Sequence, residues 1–237
     1  MKERPIIFST PMVRALRAGI KTQTRRTRGL NKINEAPDDY TLDGGEFDPA
    51  GWTWHHFAGP VSIRCPYGVP GDRLWTRETW TGTWLANGNM HVSYAADGAE
   101  EVRLRAPSDY VLPKVAAKAG KWVSPLFLPR WASRDTLEVV SVRPERLNAI
   151  TEADAEAEGI WAKEYPAAFR MPKSVSFYWG ENGGPKQFGG FNTAVQTFEA
   201  LWNTVNGAGS WYTNPWVWRV EFKRIPELEL PSLAGAV

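Results

Sequence analysis

Trp216 to Ile225 reads as a strand: Trp216, Trp218, Val220 and Phe222 point one way, and Arg219, Glu221 and Lys223 the other. A period of two is that of a strand with one face on a core and the other toward water. The same pattern predicts a strand over Arg73 to Trp80, with Leu74, Thr76, Glu78 and Trp80 on one face and Trp75, Arg77 and Thr79 on the other. Ile6-Ile7-Phe8, Val61-Ser62-Ile63 and the β-branched run Leu137 to Val142 read as further strands. Asn87-Gly88, between Trp84-Leu85 and the alternating His91-Val92-Ser93-Tyr94, is a strong hairpin signal. Many short strands with few helices predict a mainly β chain of α+β class, built on a small closed or half-open barrel.

Three helices are expected around it. Ser9-Thr10-Pro11 opens the first, with Thr10 as cap, Pro11 in the first turn and Gly19 as a left-handed stop. Ile150-Thr151 opens a second that stops at Gly159. Thr193 to Asn206 forms the third, with Thr193 and Gln196 as a capping box and Val195, Phe198, Leu201, Trp202 and Val205 on one face. Residues 30–60, 97–120 and 162–190 are polar or rich in Gly and Pro and read as insertions, with Phe188-Gly189-Gly190-Phe191 as a mobile loop. The expectation is one domain over 1–225 carrying those insertions, and a frayed tail over 226–237.

The apolar run after Met1 is too short for a signal-peptide core, and no stretch is long and apolar enough for a membrane span, so cytoplasmic residence without membrane contact is expected. Cys65 is the one cysteine, which excludes an internal disulfide. Together with His55, His56 and His91 it shows none of the usual zinc spacings, so neither a metal nor another cofactor is expected. Net charge is only +2, yet Arg14, Arg17, Lys21, Arg25, Arg26 and Arg28 fall close together, as a phosphate-binding patch or as a solvated face. Thirteen tryptophans must be buried with their N–H groups satisfied, or serve as stacking walls for a flat ligand.

Gly19-Ile20-Lys21-Thr22-Gln23-Thr24-Arg25-Arg26, following a short capped helix, resembles the signature of the ASCH domain family, a branch of the PUA-like superfamily. Pro70-Gly71-Asp72-Arg73-Leu74-Trp75 looks like the family's Gly-Asp strand entry, Ile150 to Gly159 like its acidic second helix, and Pro215 to Phe222 like its closing strand. With Pro129-Arg130-Trp131-Ala132-Ser133-Arg134, the chain is especially similar to the larger ASCH proteins of phages and prophages. The resemblance covers about half the residues and leaves the insertions unexplained. It implies a PUA-like barrel of about six strands. Small bacterial members are amidohydrolases of N4-acylated cytidine with a Lys-x-x-Thr pattern and a helical glutamate, which this resemblance places at Lys21, Thr24 and Glu158. Other members act on or bind RNA, so fold likeness alone does not choose an activity.

An amide hydrolase needs a nucleophile, an acceptor for its proton and an acid for the leaving amine. Thr24 supplies a hydroxyl. Lys21 serves either as a base with a lowered pKa or as a charged partner for the oxyanion. Three residues apart on a regular strand, the two would point to opposite faces, and they converge only if Lys21 belongs to the turn after Gly19 or a bulge intervenes. Glu158 lies in the last turn of its helix, where the dipole disfavours an acid, so it is either a solvated surface residue or the partner of Lys21 or an arginine. If the strand face of Glu78 is inward, it must be paired, with Arg26 or Lys21 as candidates; it could equally read the polar edge of a base. Arg130 and Arg134, interleaved with Trp131 and near Lys121 and Trp122, suit phosphate contact plus base stacking, or a structural Arg–Trp stack.

The expected function is hydrolysis of an N-acylated or otherwise modified pyrimidine nucleoside or base. Lys21, Thr24 and Glu158 would be catalytic, with Arg26, Glu78, Arg130, Trp131 and Arg134 holding the ligand. The alternatives are a non-catalytic module for RNA or single-stranded DNA, and a ribonuclease. Oligomeric state is left open.

Overall fold

The computed structural model describes residues 1–43, 51–85, 89–98, 100–103, 121–167, 174–180 and 187–225. The Asn87-Gly88 turn, most of the 97–120 insertion and the tail after Ile225 lie outside them. In chain order the elements are β1 (Glu3–Ile7), α1 (Thr10–Arg17), β2 (Gln23–Arg26), β3 (Thr41–Leu42), β4 (Trp52–His55), β5 (Val61–Ile63), β6 (Arg73–Arg77), β7 (Trp80–Trp84), β8 (Met90–Tyr94) and β9 (Glu100–Arg103). They continue with β10 (Thr136–Arg146), α2 (Glu152–Ala157), β11 (Trp161–Tyr165), β12 (Ser174–Gly180), β13 (Gln187–Phe191), α3 (Ala194–Asn206) and β14 (Trp216–Ile225). The chain is therefore mainly β with three α-helices, of α+β class.

Five strands form the main sheet in the order β1-β6-β10-β14-β2. Only β1 and β6 run parallel; the other neighbours are antiparallel. Among the described residues no ladder joins β1 to β2, so the pairings close no barrel. A side chain links the edges instead: the Arg26 guanidinium donates to the Ile7 carbonyl at 2.8 Å. The expected strand from Arg73 to Trp80 is interrupted. β6 stops at Arg77, and Trp80 opens β7, which pairs with β8 as the hairpin pattern predicted. Leu74, Thr76, Glu78 and Trp80 are nevertheless all buried.

β14 explains why its alternation is so clear. Trp216, Trp218, Val220 and Phe222 enter the main core beside Ile6, Phe8 and Leu137. Val217, on the opposite face, is also buried, because α2 and α3 cover that face with Ala155, Phe198 and Leu201. A third cluster, around Trp80, Tyr94 and Leu128, underlies the β7–β9 sheet.

Two insertions are structured. Residues 30–60 carry β3 and β4, which join β5 in a three-stranded sheet. Their Trp54 is fully buried edge-on against Trp218 at 5.7 Å and Trp216 at 6.0 Å. Removing a ring so placed costs about 3–5 kcal/mol, so this segment belongs to the core. Within 162–190, β11, β12 and β13 form another sheet, and the stretch read as a mobile Phe-Gly-Gly-Phe loop is β13. Burial against α3 overrides the local glycine signal: Phe177 and Trp179 pack on the α2–α3 cluster.

Candidate functional site

The site is assembled where α1 hands over to β2. The first helix begins at Thr10, with Ser9 rather than Thr10 in the cap position. Gly19 takes the left-handed conformation at φ 75°. The chain then folds back, and the amides of Ile20 and Lys21 both donate to the Ala15 carbonyl, at 2.9 and 3.1 Å. Lys21 thus still belongs to the turn after Gly19, ahead of β2. The next amide, of Thr22, donates to the Ala157 carbonyl at 2.9 Å, which ties the strand entry to the end of α2.

α2 is held at its start by a capping box between Thr151 and Asp154. At its end Glu158 is the cap and Gly159 follows at φ 105°. A Cβ at Gly159 would lie 3.0 Å from the Ala15 Cβ and 3.5 Å from the Lys21 Cβ. Glycine there lets the helix end close on Lys21.

The result is a buried ion cluster. Lys21 Nζ donates to Glu158 Oε2 at 2.8 Å and to the Glu158 carbonyl at 2.7 Å. The side chains are 0% and 3% exposed. Arg25 meets Glu158 Oε1 at 3.3 Å, Glu145 at 2.6 Å and Asp154 at 3.2 Å. Arg219 extends the cluster, meeting Asp154 at 3.0 Å and donating to the Gln23 side chain at 2.9 Å. Burial pushes the Lys21 ammonium below the ordinary lysine range; Glu158 opposes this, and Arg26 and Arg25 add to it. Burial acts to raise the Asp154 carboxyl, but the Thr151 amide and hydroxyl, with Arg25 and Arg219, outweigh it and hold that group below the usual aspartate value.

A cleft of about 220 Å³ opens onto this cluster. β2 and the segment after it supply Thr24, Arg26 and Arg28; Glu158 and Tyr67 also reach its surface. Apolar residues of α3, chiefly Phe198, Leu201 and Trp202, line it as well. Thr24 is buried, and among the described residues nothing hydrogen-bonds its hydroxyl. The structure thus brings Lys21 and Glu158 into contact and puts Thr24 with Glu158 on one cleft, without a hydrogen bond from Thr24 to either.

The other expected ligand-holding residues lie elsewhere. Arg26 lines the cleft; Glu78, Arg130, Trp131 and Arg134 do not. The partner of Glu78 is Arg134, rather than Lys21 or Arg26, through a two-pronged contact of 2.7 and 2.9 Å. Arg134 also grips both oxygens of Asp97 and stacks over the Tyr94 ring at 4.1 Å. Burial pushes the Glu78 carboxyl up, and Arg134 only partly offsets this. Arg130 is 43% exposed and pairs with Glu3. Trp131 packs against the Trp80 cluster, and Trp122 is half exposed. Here the plainer reading, arginines and tryptophans that pack the fold, matches the contacts.

Sequence reasoning missed Glu145, Asp154 and Arg219 as members of the cluster, and Tyr67 on the cleft. Spacing held part of the signal: Lys21, Gln23 and Arg25 fall at every second position and all reach toward α2. The meeting of Arg25 with Glu145, far apart in sequence, had none. Among the described residues no group of three His, Cys, Asp or Glu is placed to hold a metal ion. His56 instead stacks on Tyr40, and burial pushes the Cys65 thiol up to about 12. No described helix is long and apolar enough to cross a membrane. The chain matches no protein-family model, no curated protein and no solved structure.

Proposed function

We propose that the protein is an amidohydrolase of N-acylated pyrimidine nucleosides or bases, built on an ASCH-type, PUA-like barrel whose edges are β1 and β2. The observation that carries this reading is the buried Lys21–Glu158 pair beside a cleft that also holds the Thr24 hydroxyl, which has no hydrogen-bond partner among the described residues. The Arg26 link to Ile7, across the sheet edges, supports the barrel.

In the proposed reaction Thr24 Oγ1 adds to the acyl carbon, and its proton passes to the Lys21–Glu158 pair. The lowered pKa of Lys21 favours a neutral amine able to take it. The pair returns the proton to the departing exocyclic amine, leaving the acyl group on Thr24. Water, deprotonated by the same pair, releases it as a carboxylic acid.

The test is hydrolysis of N4-acetylcytidine and longer N4-acylcytidines, followed by absorbance, for the wild type beside Lys21→Ala, Thr24→Ala and Glu158→Ala, each checked for folding by circular dichroism. Turnover lost in all three folded variants is expected. A wild type inactive on the whole panel would refute the reading. A non-catalytic nucleic-acid module is the second reading, favoured by the exposed Arg28 at the cleft. It predicts oligonucleotide affinity that falls steeply with salt, and no turnover.

A further inference from the structure

The three arginines of the cleft are not equivalent. Arg25 is buried and spent on Glu145, Asp154 and Glu158. Arg26 donates to the Ile7 carbonyl, and neither it nor Arg28 meets a carboxylate among the described residues. Glu158, the carboxylate on the cleft, is already held by Lys21 and Arg25. Among the described residues the cleft therefore carries positive charge that no carboxylate neutralises.

The backbone that presents these cations is fixed. β2 pairs Arg26 with Trp218, and the Trp218 indole donates to the Arg28 carbonyl at 3.2 Å. The Leu30 amide closes a turn onto Thr27 at 2.9 Å, with Gly29 left-handed at φ 87°. A Cβ on Gly29 would meet Pro66 and Trp218 within 4 Å, so the turn is packed as well as hydrogen-bonded. Tyr67 lies near both cations: burial raises its phenol, and Arg26 and Arg28 act to lower it. Two guanidiniums on a fixed backbone, beside a phenol, make a phosphate site. Across the cleft, Phe198 and Trp202 offer an apolar surface suited to a flat ring.

We propose that the ligand of this cleft is phosphorylated: Arg26 and Arg28 hold a phosphate attached to the pyrimidine unit, whose base lies toward Trp202. This builds on the reading of the cleft as a pyrimidine site and narrows the substrate from a free nucleoside to a nucleotide or a nucleotide within a nucleic-acid chain.

The experiment is calorimetric binding of cytidine, cytidine 5′-monophosphate and the dinucleotide cytidylyl-cytidine to the wild type, Arg26→Ala and Arg28→Ala, with Arg130→Ala as a control outside the cleft. The monophosphate is expected to bind about tenfold or more tightly than cytidine, as one or two charge-assisted hydrogen bonds allow. Arg28→Ala should abolish most of that gain, and Arg130→Ala should leave it intact. A gain shared by the dinucleotide assigns the site to nucleic acid; a gain confined to the monophosphate assigns it to free nucleotides. Equal binding of cytidine and its monophosphate would overturn the proposal, as would a gain that survives both cleft substitutions or no binding at all. Binding is read without turnover, so the outcome is separable from that of the hydrolysis assay: an active enzyme indifferent to phosphate would sink this inference and spare the amidohydrolase.

Discussion

Two buried clusters join a carboxylate to a cation, Lys21–Glu158 and Arg134–Glu78, and their surroundings differ. Arg134 makes four charge-assisted hydrogen bonds, two to Glu78 and two to Asp97, and stacks on Tyr94. No residue of that pair lines the cleft. Around Lys21 the pair is equally dry, but Glu158 reaches a cleft that also holds, among the described residues, a hydroxyl without a hydrogen-bond partner and two arginines without carboxylates. Burial and pairing are thus shared by the two clusters. Under the proposed function, access to the cleft and unspent hydrogen-bonding capacity are what make the Lys21 cluster reactive and the Arg134 cluster structural.

The largest expected effect breaks the structural member. Arg134→Met leaves Glu78 buried without its countercharge and should cost about 3–5 kcal/mol in urea unfolding. Adding Glu78→Leu should recover much of that loss, because replacing a whole buried pair by apolar groups is often close to neutral. A single variant as stable as the wild type would remove the contrast between the clusters.

Next comes Thr24→Val. With no hydrogen bond to the hydroxyl among the described residues, the fold should weaken by less than about 1 kcal/mol, while turnover of N4-acetylcytidine disappears. Activity retained in a folded Thr24→Val protein would take the nucleophile elsewhere.

The pH dependence sharpens the comparison further. If neutral Lys21 accepts the proton, kcat/KM should rise with pH and level off below the ordinary lysine value of about 10.4, since burial lowers this group. On the acid side, Asp154 and Asp72 have folded pKa values below their unfolded ones, so their stabilisation is complete above the ordinary aspartate value of 3.8 and is lost as pH falls through the folded values. Asp154→Asn should flatten that acid limb in thermal melts at pH 2–4, pH values chosen about the aspartate range.

The smallest effect is expected at Arg130. Its pair with Glu3 is solvent-screened, with side chains 43% and 37% exposed. Arg130→Ala should change stability by at most about 1 kcal/mol and leave turnover unchanged.

Where one periodicity governed a segment, the sequence was readable. β14 and α3 lie where alternation and the Thr193 cap place them, and the odd acid at Glu158 does mark a partner. The failures share a cause. β3 and β4 are only two and four residues long, too short for a period to emerge from a Gly- and Asp-rich background, yet Trp54 anchors them in the core. β13 was masked by its glycines. The strand pattern leaves Glu78 open between pairing with Arg26 or Lys21 and reading a base; it cannot say which cation a distant loop delivers. Arg134 comes from just before β10, 56 residues away. The Arg25–Glu145 contact, 120 residues apart, depends on β10, β14 and β2 being neighbours.

The central claim, that the Lys21 cluster is reactive and the Arg134 cluster structural, is tested most directly by kcat/KM for N4-acetylcytidine in Lys21→Met, measured beside its urea midpoint. Glu158 keeps Arg25 as a partner in that variant, so the predicted result is a modest stability loss, about 1–3 kcal/mol, with a rate loss of about 100-fold or more. A folded Lys21→Met protein that hydrolyses the substrate at the wild-type rate would contradict the account.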